Sequence, residues 1–351
     1  MSWKIVVSII LPLIFSLMGC EGGKSISSKY GKPKIIISVS YALNYLEARG
    51  APFLILDNAG NIYVAEGDFA VRKFTPKGKL LLKIVPRRKL AIVPEADSNE
   101  VKYSTYRIWG CCVDERENIY MGVSKTLVSE SYKPLSASIE IQKFDRQGKF
   151  LGRIHPLTEK QALGVIGNPI LYFSHNNLAY KRGSIITSCI SQSSLTVQIL
   201  NREGELKKVK TFSLSKEEYP TAWVVHGNDV YLIFLDRKKE SLKMVDIFTQ
   251  KTTLSESWKS LRLTGVCLGM DREHSLYFAG TKSDAPKSKT IYLAKITRRG
   301  KNFLIPLSSS PKDTILESGL VRANGDIYIL WSKISKIRAR GHFFATECMN
   351  Q

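Results

Sequence analysis

Histidine and cysteine are scarce in this sequence, five and six residues out of 351, and their spacing excludes several chemistries. No CxxC pair occurs and no histidine stands at a zinc-finger interval from a cysteine, so no structural zinc site is expected. The HExxH pairing of zinc hydrolases is missing too. So are the Gly-x-Ser-x-Gly elbow of α/β-hydrolases and any glycine loop built to cradle phosphate. No low-complexity or disordered block interrupts the chain, and its 44% hydrophobic content is enough for a sizeable core. No catalytic residue and no metal ligand can therefore be nominated.

The first residues do not read as part of that core. Lys4 is followed by an apolar run from Ile5 to Met18, broken by Pro12. One positive charge before a short apolar run is the layout of an export signal. The run is shorter than the ~20 residues a membrane-spanning helix needs. It ends in Leu17-Met18-Gly19-Cys20, which resembles the bacterial lipobox. In that family the cysteine thiol receives a diacylglycerol, cleavage precedes the cysteine, and the freed amine is acylated with a fatty acid such as palmitate. The resemblance implies a leader over 1–19, lipid attachment at Cys20 and anchoring in a membrane. Glu21 is not the aspartate that retains lipoproteins at the inner membrane in enterobacteria, so outer-membrane sorting is expected where that rule holds. Residues 20–34 are rich in Gly, Ser and Lys, the composition of a flexible tether.

Acidic residues are also few, 31 against 52 Lys and Arg, for a formal net charge of +21. A cytosolic protein with that balance would suggest nucleic acid. Behind an export signal no nucleic-acid partner is expected, and the polyanions at hand are lipid headgroups, lipopolysaccharide and cell-wall polymers. The five cysteines after Cys20 are Cys111, Cys112, Cys189, Cys267 and Cys348. Most lie in apolar, strand-like stretches and are expected as free, buried small hydrophobes, with a disulfide among them, which an oxidising compartment permits, as the alternative.

From about Ala51 a pattern repeats: apolar strand, polar turn, a strand opening on an aliphatic-Tyr pair, then a third strand leading to a glycine turn. Its clearest copy runs from Phe53 through Asp57, Gly60, Ile62-Tyr63-Val64-Ala65 and Phe74 to Gly78-Lys79. A second copy, Cys112 to Leu151, carries a long insertion between its second and third strands. The pivots fall at Tyr63, Tyr120, Ile186, Tyr231, Tyr277 and Tyr328, about fifty residues apart, the period of a four-stranded propeller unit. Period-two alternation between turn residues marks strands rather than helices. Residues 57–81 resemble the NHL repeat, whose family implies a six-bladed propeller.

The expected fold is thus all-β, a six-bladed β-propeller of four-stranded antiparallel blades over residues 35–351, with five or seven blades as the alternative. Ile35 to Val39 is the candidate strand for closing the ring.

Propellers bind at the mouth of their central channel. By place in the repeat, the candidate ligand-binding residues are Arg49, Arg107, Trp109, Trp223, Arg262 and Glu317, with His226 in an inner-strand turn. Tryptophan beside arginine suits a sugar, an anionic small molecule or a peptide end. Asp57, Asp114 and Asp271 occupy one position in their repeats, which points to turn structure. The function expected is a membrane-anchored binding or scaffolding module for a protein, peptide or glycan, without a cofactor. A metal-dependent lactonase or lyase holding a divalent ion such as calcium, and an electrostatic binder of envelope polyanions, are the alternatives.

Overall fold

The computed structural model describes residues 2–10, 34–42 and, with breaks, 53–334. Every element in it is a strand. β1 (Ser2–Ile10) and β2 (Lys34–Ala42) come first. Five sheets of four consecutive antiparallel strands follow. The first holds β3 (Phe53–Leu56), β4 (Ile62–Glu66), β5 (Ala70–Phe74) and β6 (Leu80–Ile84). The second holds β7 (Tyr103–Val113), β8 (Ile119–Val128), β9 (Pro134–Phe144) and β10 (Phe150–Leu157). The third comprises β11 (Leu178–Lys181), β12 (Ser184–Ile190), β13 (Ser194–Leu200) and β14 (Leu206–Ser213). The fourth comprises β15 (Glu218–His226), β16 (Asp229–Asp236), β17 (Ser241–Asp246) and β18 (Thr252–Ser257). The fifth comprises β19 (Leu263–Met270), β20 (Leu276–Lys282), β21 (Thr290–Ile296) and β22 (Asn302–Ser309). A terminal sheet joins β23 (Thr314–Val321) and β24 (Ile327–Ile334) to the chain's other end, in the order β2-β1-β24-β23.

First strands of successive sheets are neighbours, β3 to β7, β7 to β11, β11 to β15, β15 to β19 and β19 to β23, and β23 returns to β3. That cycle of inner strands makes the fold a β-propeller of four-stranded antiparallel blades. Its core lies between blades. One apolar cluster joins Phe53, Tyr63 and Val71 of the first blade to Cys111, Ile119 and Phe144 of the second. Four more clusters sit in the same way between later neighbours. Second strands are covered on both faces, and Ile62 to Ala65 of β4 are all buried. Fourth strands face solvent, and most of β14 is exposed. A single blade has no partner for its two apolar faces, so stacking is what makes the repeat stable.

The insertion expected between the second and third strands of the second copy is present and is itself strand. Its residues lengthen β8 and β9 into a hairpin paired from Ile119↔Phe144 to Val128↔Pro134. The candidate closing strand, Ile35 to Val39, lies within β2 in the terminal sheet, but it pairs with β1 and not with β24. Ser2–Ile10, expected as a leader, stands in the sheet as β1, paired with β24 from Trp3↔Ile334 to Ile10↔Ile327. An apolar run rich in Ile and Val meets the needs of a leader and of a strand buried in a sheet equally well.

Candidate functional site

Inner strands and the turns that end them carry the candidate residues, so the site is built outward from those turns. Asp57, Asp114 and Asp271 each close an inner-strand hairpin by accepting bonds from their own turn. Asp114 takes the Arg116 amide at 2.9 Å, the Asn118 amide and side chain at 2.8 Å each, and the Tyr120 hydroxyl at 3.0 Å. Asp57 accepts from Asn61 and Tyr63 in the same manner. Asp271 accepts from the Ser275 amide, the Tyr277 hydroxyl and Lys295 Nζ. Burial by itself would raise the Asp271 carboxyl; those three donors hold it below the usual carboxylate range instead. Burial and then the facing aspartate push the Tyr63 and Tyr120 hydroxyls far above their ordinary value, so both remain donors. Lys73, Lys143 and Lys295, from the third strands, lie over the rings of Tyr63, Tyr120 and Tyr277. The unit is therefore Asp, then Tyr six residues on, capped by a third-strand lysine, and it locks each turn to its blade.

The same turns tie blade to blade. Lys73 pairs with Glu117 of the second blade at 2.9 Å. Glu115 accepts from Tyr180 at 2.7 Å and Arg202 at 2.6 Å in the third. Arg182 pairs with Asp229 of the fourth at 2.8 Å. Between the fourth and fifth blades a pair of imidazoles stands instead, His226 and His274, with ring centroids 4.4 Å apart. Partial burial and then His274 lower the His226 pKa, against the opposing pull of Asp271, Asp229 and the Met270 backbone. A histidine whose folded-state pKa is depressed costs stability as pH falls from about 6.5, because the unfolded chain binds the proton first. Melting temperature is expected to drop on acidification through that point and to level off below the folded-state pKa. His226→Gln is expected to remove that part of the pH dependence, and an unchanged profile in the variant would refute the assignment.

Toward the channel, the inner strands of the second, third and fourth blades meet at a polar seam. Asn176, just before β11, brackets Cys111 as a strand would: its Oδ1 accepts from the Cys111 amide at 2.8 Å and its Nδ2 donates to the Cys111 carbonyl at 3.0 Å. The Asn177 amide donates to the Trp109 carbonyl at 3.1 Å. The Asn177 side-chain oxygen accepts from Ser188 Oγ at 3.2 Å and from Trp223 Nε1 at 3.4 Å. Neither asparagine was nominated from sequence. The available signal was the Asn-Asn pair opening the inner strand of the degenerate third copy.

The nominated residues separate. Trp109 sits at a bulge in β7 and is 4% exposed, packed with Cys112, Tyr120, Ile139 and Leu178 and lying over Gly122. Its ring has almost no surface to offer a ligand. Trp223 is half-buried, hydrogen-bonded to Asn177 and packed against the cluster between the third and fourth blades. Arg107 is half-buried two residues before Trp109, and its carbonyl accepts from Ser124. His226 is in the imidazole pair. Glu317 falls at the bulge of β23. Cys20, Arg49 and Arg262 lie outside the described residues. Among the described residues no group of three or more His, Cys, Asp or Glu is placed to hold a metal ion. Cys111 and Cys112 are free and buried, and burial raises both thiols, which removes them as nucleophiles.

No protein-family description matches the chain, and no curated protein matches it by sequence. Solved structures do resemble it. Hydrazine synthase of Kuenenia stuttgartiensis is 11% identical with a TM-score of 0.45, covering 82% of this chain and 76% of that one. A chain of a nidogen/laminin complex is 11% identical at TM-score 0.45, covering 88% and 94%. The C-terminal WD40 domain of Sif2 is 10% identical at TM-score 0.39, covering 87% of each chain. The propeller assignment itself rests on the sheet order and the cycle of inner strands.

Proposed function

We propose that this chain is an exported lipoprotein, held in a bacterial envelope membrane through Cys20, whose six-bladed propeller binds a protein, peptide or glycan partner. The observation that carries the anchoring is Leu17-Met18-Gly19-Cys20 behind the Ile5 to Met18 run. Six inner strands in a closed cycle support the blade count. Trp223, half-buried beside Asn177 at the inner strands, supports a binding face: a rigid aromatic with one polar edge fixed suits a sugar ring or a peptide end. The metal-dependent lactonase or lyase is the weaker reading. The carboxylates it would draw on, Asp57, Asp114 and Asp271, are consumed by turn amides, tyrosines and lysines.

Expression of the full chain in bacteria with labelled palmitate tests the anchoring. Label on the wild type, its loss in Cys20→Ser, and a mature mass beginning at Cys20 are expected. An unlabelled chain that keeps Ser2–Ile10 would overturn the reading and leave β1 as a permanent strand of the terminal sheet. Crosslinking in the envelope tests the binding face. A crosslinked species recovered with wild type and lost in a folded Trp223→Ala variant is expected; equal recovery from both would exclude Trp223.

A further inference from the structure

The exposed apolar side chains are not scattered. Of the seven large ones among the described residues, six lie on, or directly after, the fourth strands of the first three blades: Leu80, Leu81, Val85, Leu151, Leu206 and Val209, each 48–56% exposed. Cations are interleaved with them. Between Lys77 and Lys83 the first blade's outer edge carries three lysines and no Asp or Glu, and β14 carries the exposed Lys207 and Lys208. The outer strands of the fourth and fifth blades, β18 and β22, hold no Lys or Arg within their bounds, and their cations, Lys251 and Arg298, stand in the turns before them. The edge that combines exposed apolar side chains with cations is therefore one side of the propeller's rim.

That side is continuous. The turn at Gly148 lies against Leu82 and Ile84 of β6, where an added Cβ would stand 3.1 Å and 3.2 Å from their side chains. Gly204 lies against the Ile154 backbone of β10. The three edges thus form one strip. Lysine on an edge strand keeps sheets from pairing edge to edge, but that task gives no reason for half-exposed leucines beside it. Contiguous apolar surface ringed by cations is what an anionic bilayer interface selects, with side chains entering the headgroup layer and ammonium groups meeting phosphate.

We propose that the outer rim of the first three blades rests on an anionic lipid surface, orienting the propeller so that its channel axis lies roughly along the membrane plane. The proposal deepens the membrane-anchoring reading and depends on it for its setting. Its test does not need the anchor.

Full-length chain carrying Cys20→Ser is mixed with vesicles of phosphatidylcholine alone or with about a third phosphatidylglycerol, at low salt, and the bound fraction is read by sedimentation. Binding to the anionic vesicles well above that to the neutral ones is expected, because any contribution of the apolar N-terminus is common to both. Lys79→Gln with Lys208→Gln, two exposed lysines on different blades, is expected to lower partitioning by roughly thirtyfold. Leu80→Ser with Leu81→Ser is expected to weaken it as well, with an unchanged melting curve because both side chains are already half in water. Equal binding to the two vesicle types, unaltered binding by both variants, or binding to a soluble anionic polysaccharide as tight as to vesicles would overturn the proposal. Loss of palmitate labelling with rim binding intact would remove the anchor alone, so the two readings fail separately.

Discussion

Asp114→Ala is expected to destabilise the protein by about 3–4 kcal/mol, against well under 1 kcal/mol for Asp145→Ala in an exposed turn of the same blade. Both carboxylates cap turns, and Asp145 also accepts two backbone amides. The difference lies in burial and in what is left behind. Asp114 is 4% exposed and satisfies four donors, one of them the hydroxyl of a fully buried tyrosine. Without it, Tyr120 Oη keeps its desolvation penalty and loses its acceptor. Asp114→Asn retains an oxygen for the amides but puts an NH₂ where a second acceptor stood, so an intermediate loss is expected. Tyr120→Phe should cost less than either, since it removes a donor together with its need. Denaturant melts of the four variants check the order, and Asp145→Ala as damaging as Asp114→Ala would refute the account.

Trp109→Ala is expected to cost about 3–5 kcal/mol, the range for emptying a large aromatic site in a core. The more telling result is its coupling to Gly122. A Cβ at Gly122 would lie 2.4 Å from the Trp109 ring, so Gly122→Ala in the wild type forces the ring away and is expected to lose about 1–3 kcal/mol. In the Trp109→Ala background the same methyl enters vacated space, and its penalty should vanish or reverse sign. The double-mutant cycle then returns a coupling energy of similar size. Additive losses would mean that the ring does not depend on that glycine. They would also reopen Trp109 as a residue free to meet a ligand.

The repeat was legible because its signals are local. The second strands begin where the aliphatic-Tyr pairs stand, and the Asp before the inner-strand turn of the first, second and fifth blades is the acceptor that holds that turn. The turn role of these aspartates was inferable from position alone, since an Asx side chain bonds its own backbone a few residues on. The candidate site was far less legible. Trp109 and Trp223 occupy similar inner-strand positions in their copies, yet one is sealed between blades and the other is half-buried on Asn177. What separates them is the neighbour: Gly122 on β8 gives Trp109 a slot, and the Asn176-Asn177 pair of the third blade reaches across to the second and fourth.

The rim shows the same division. Every lysine and leucine of the basic edge is visible in the sequence. Only stacking shows that the strands bearing exposed leucines and lysines are fourth strands of adjacent blades. By itself the sequence determined strand periodicity, turn chemistry and the blade repeat, because each depends on residues within a few positions of one another. Tertiary structure decided which tryptophan is core, how histidines from two blades come to face each other, and which surface is basic and apolar. Those depend on packing between blades, where partners about fifty residues apart meet at van der Waals distance.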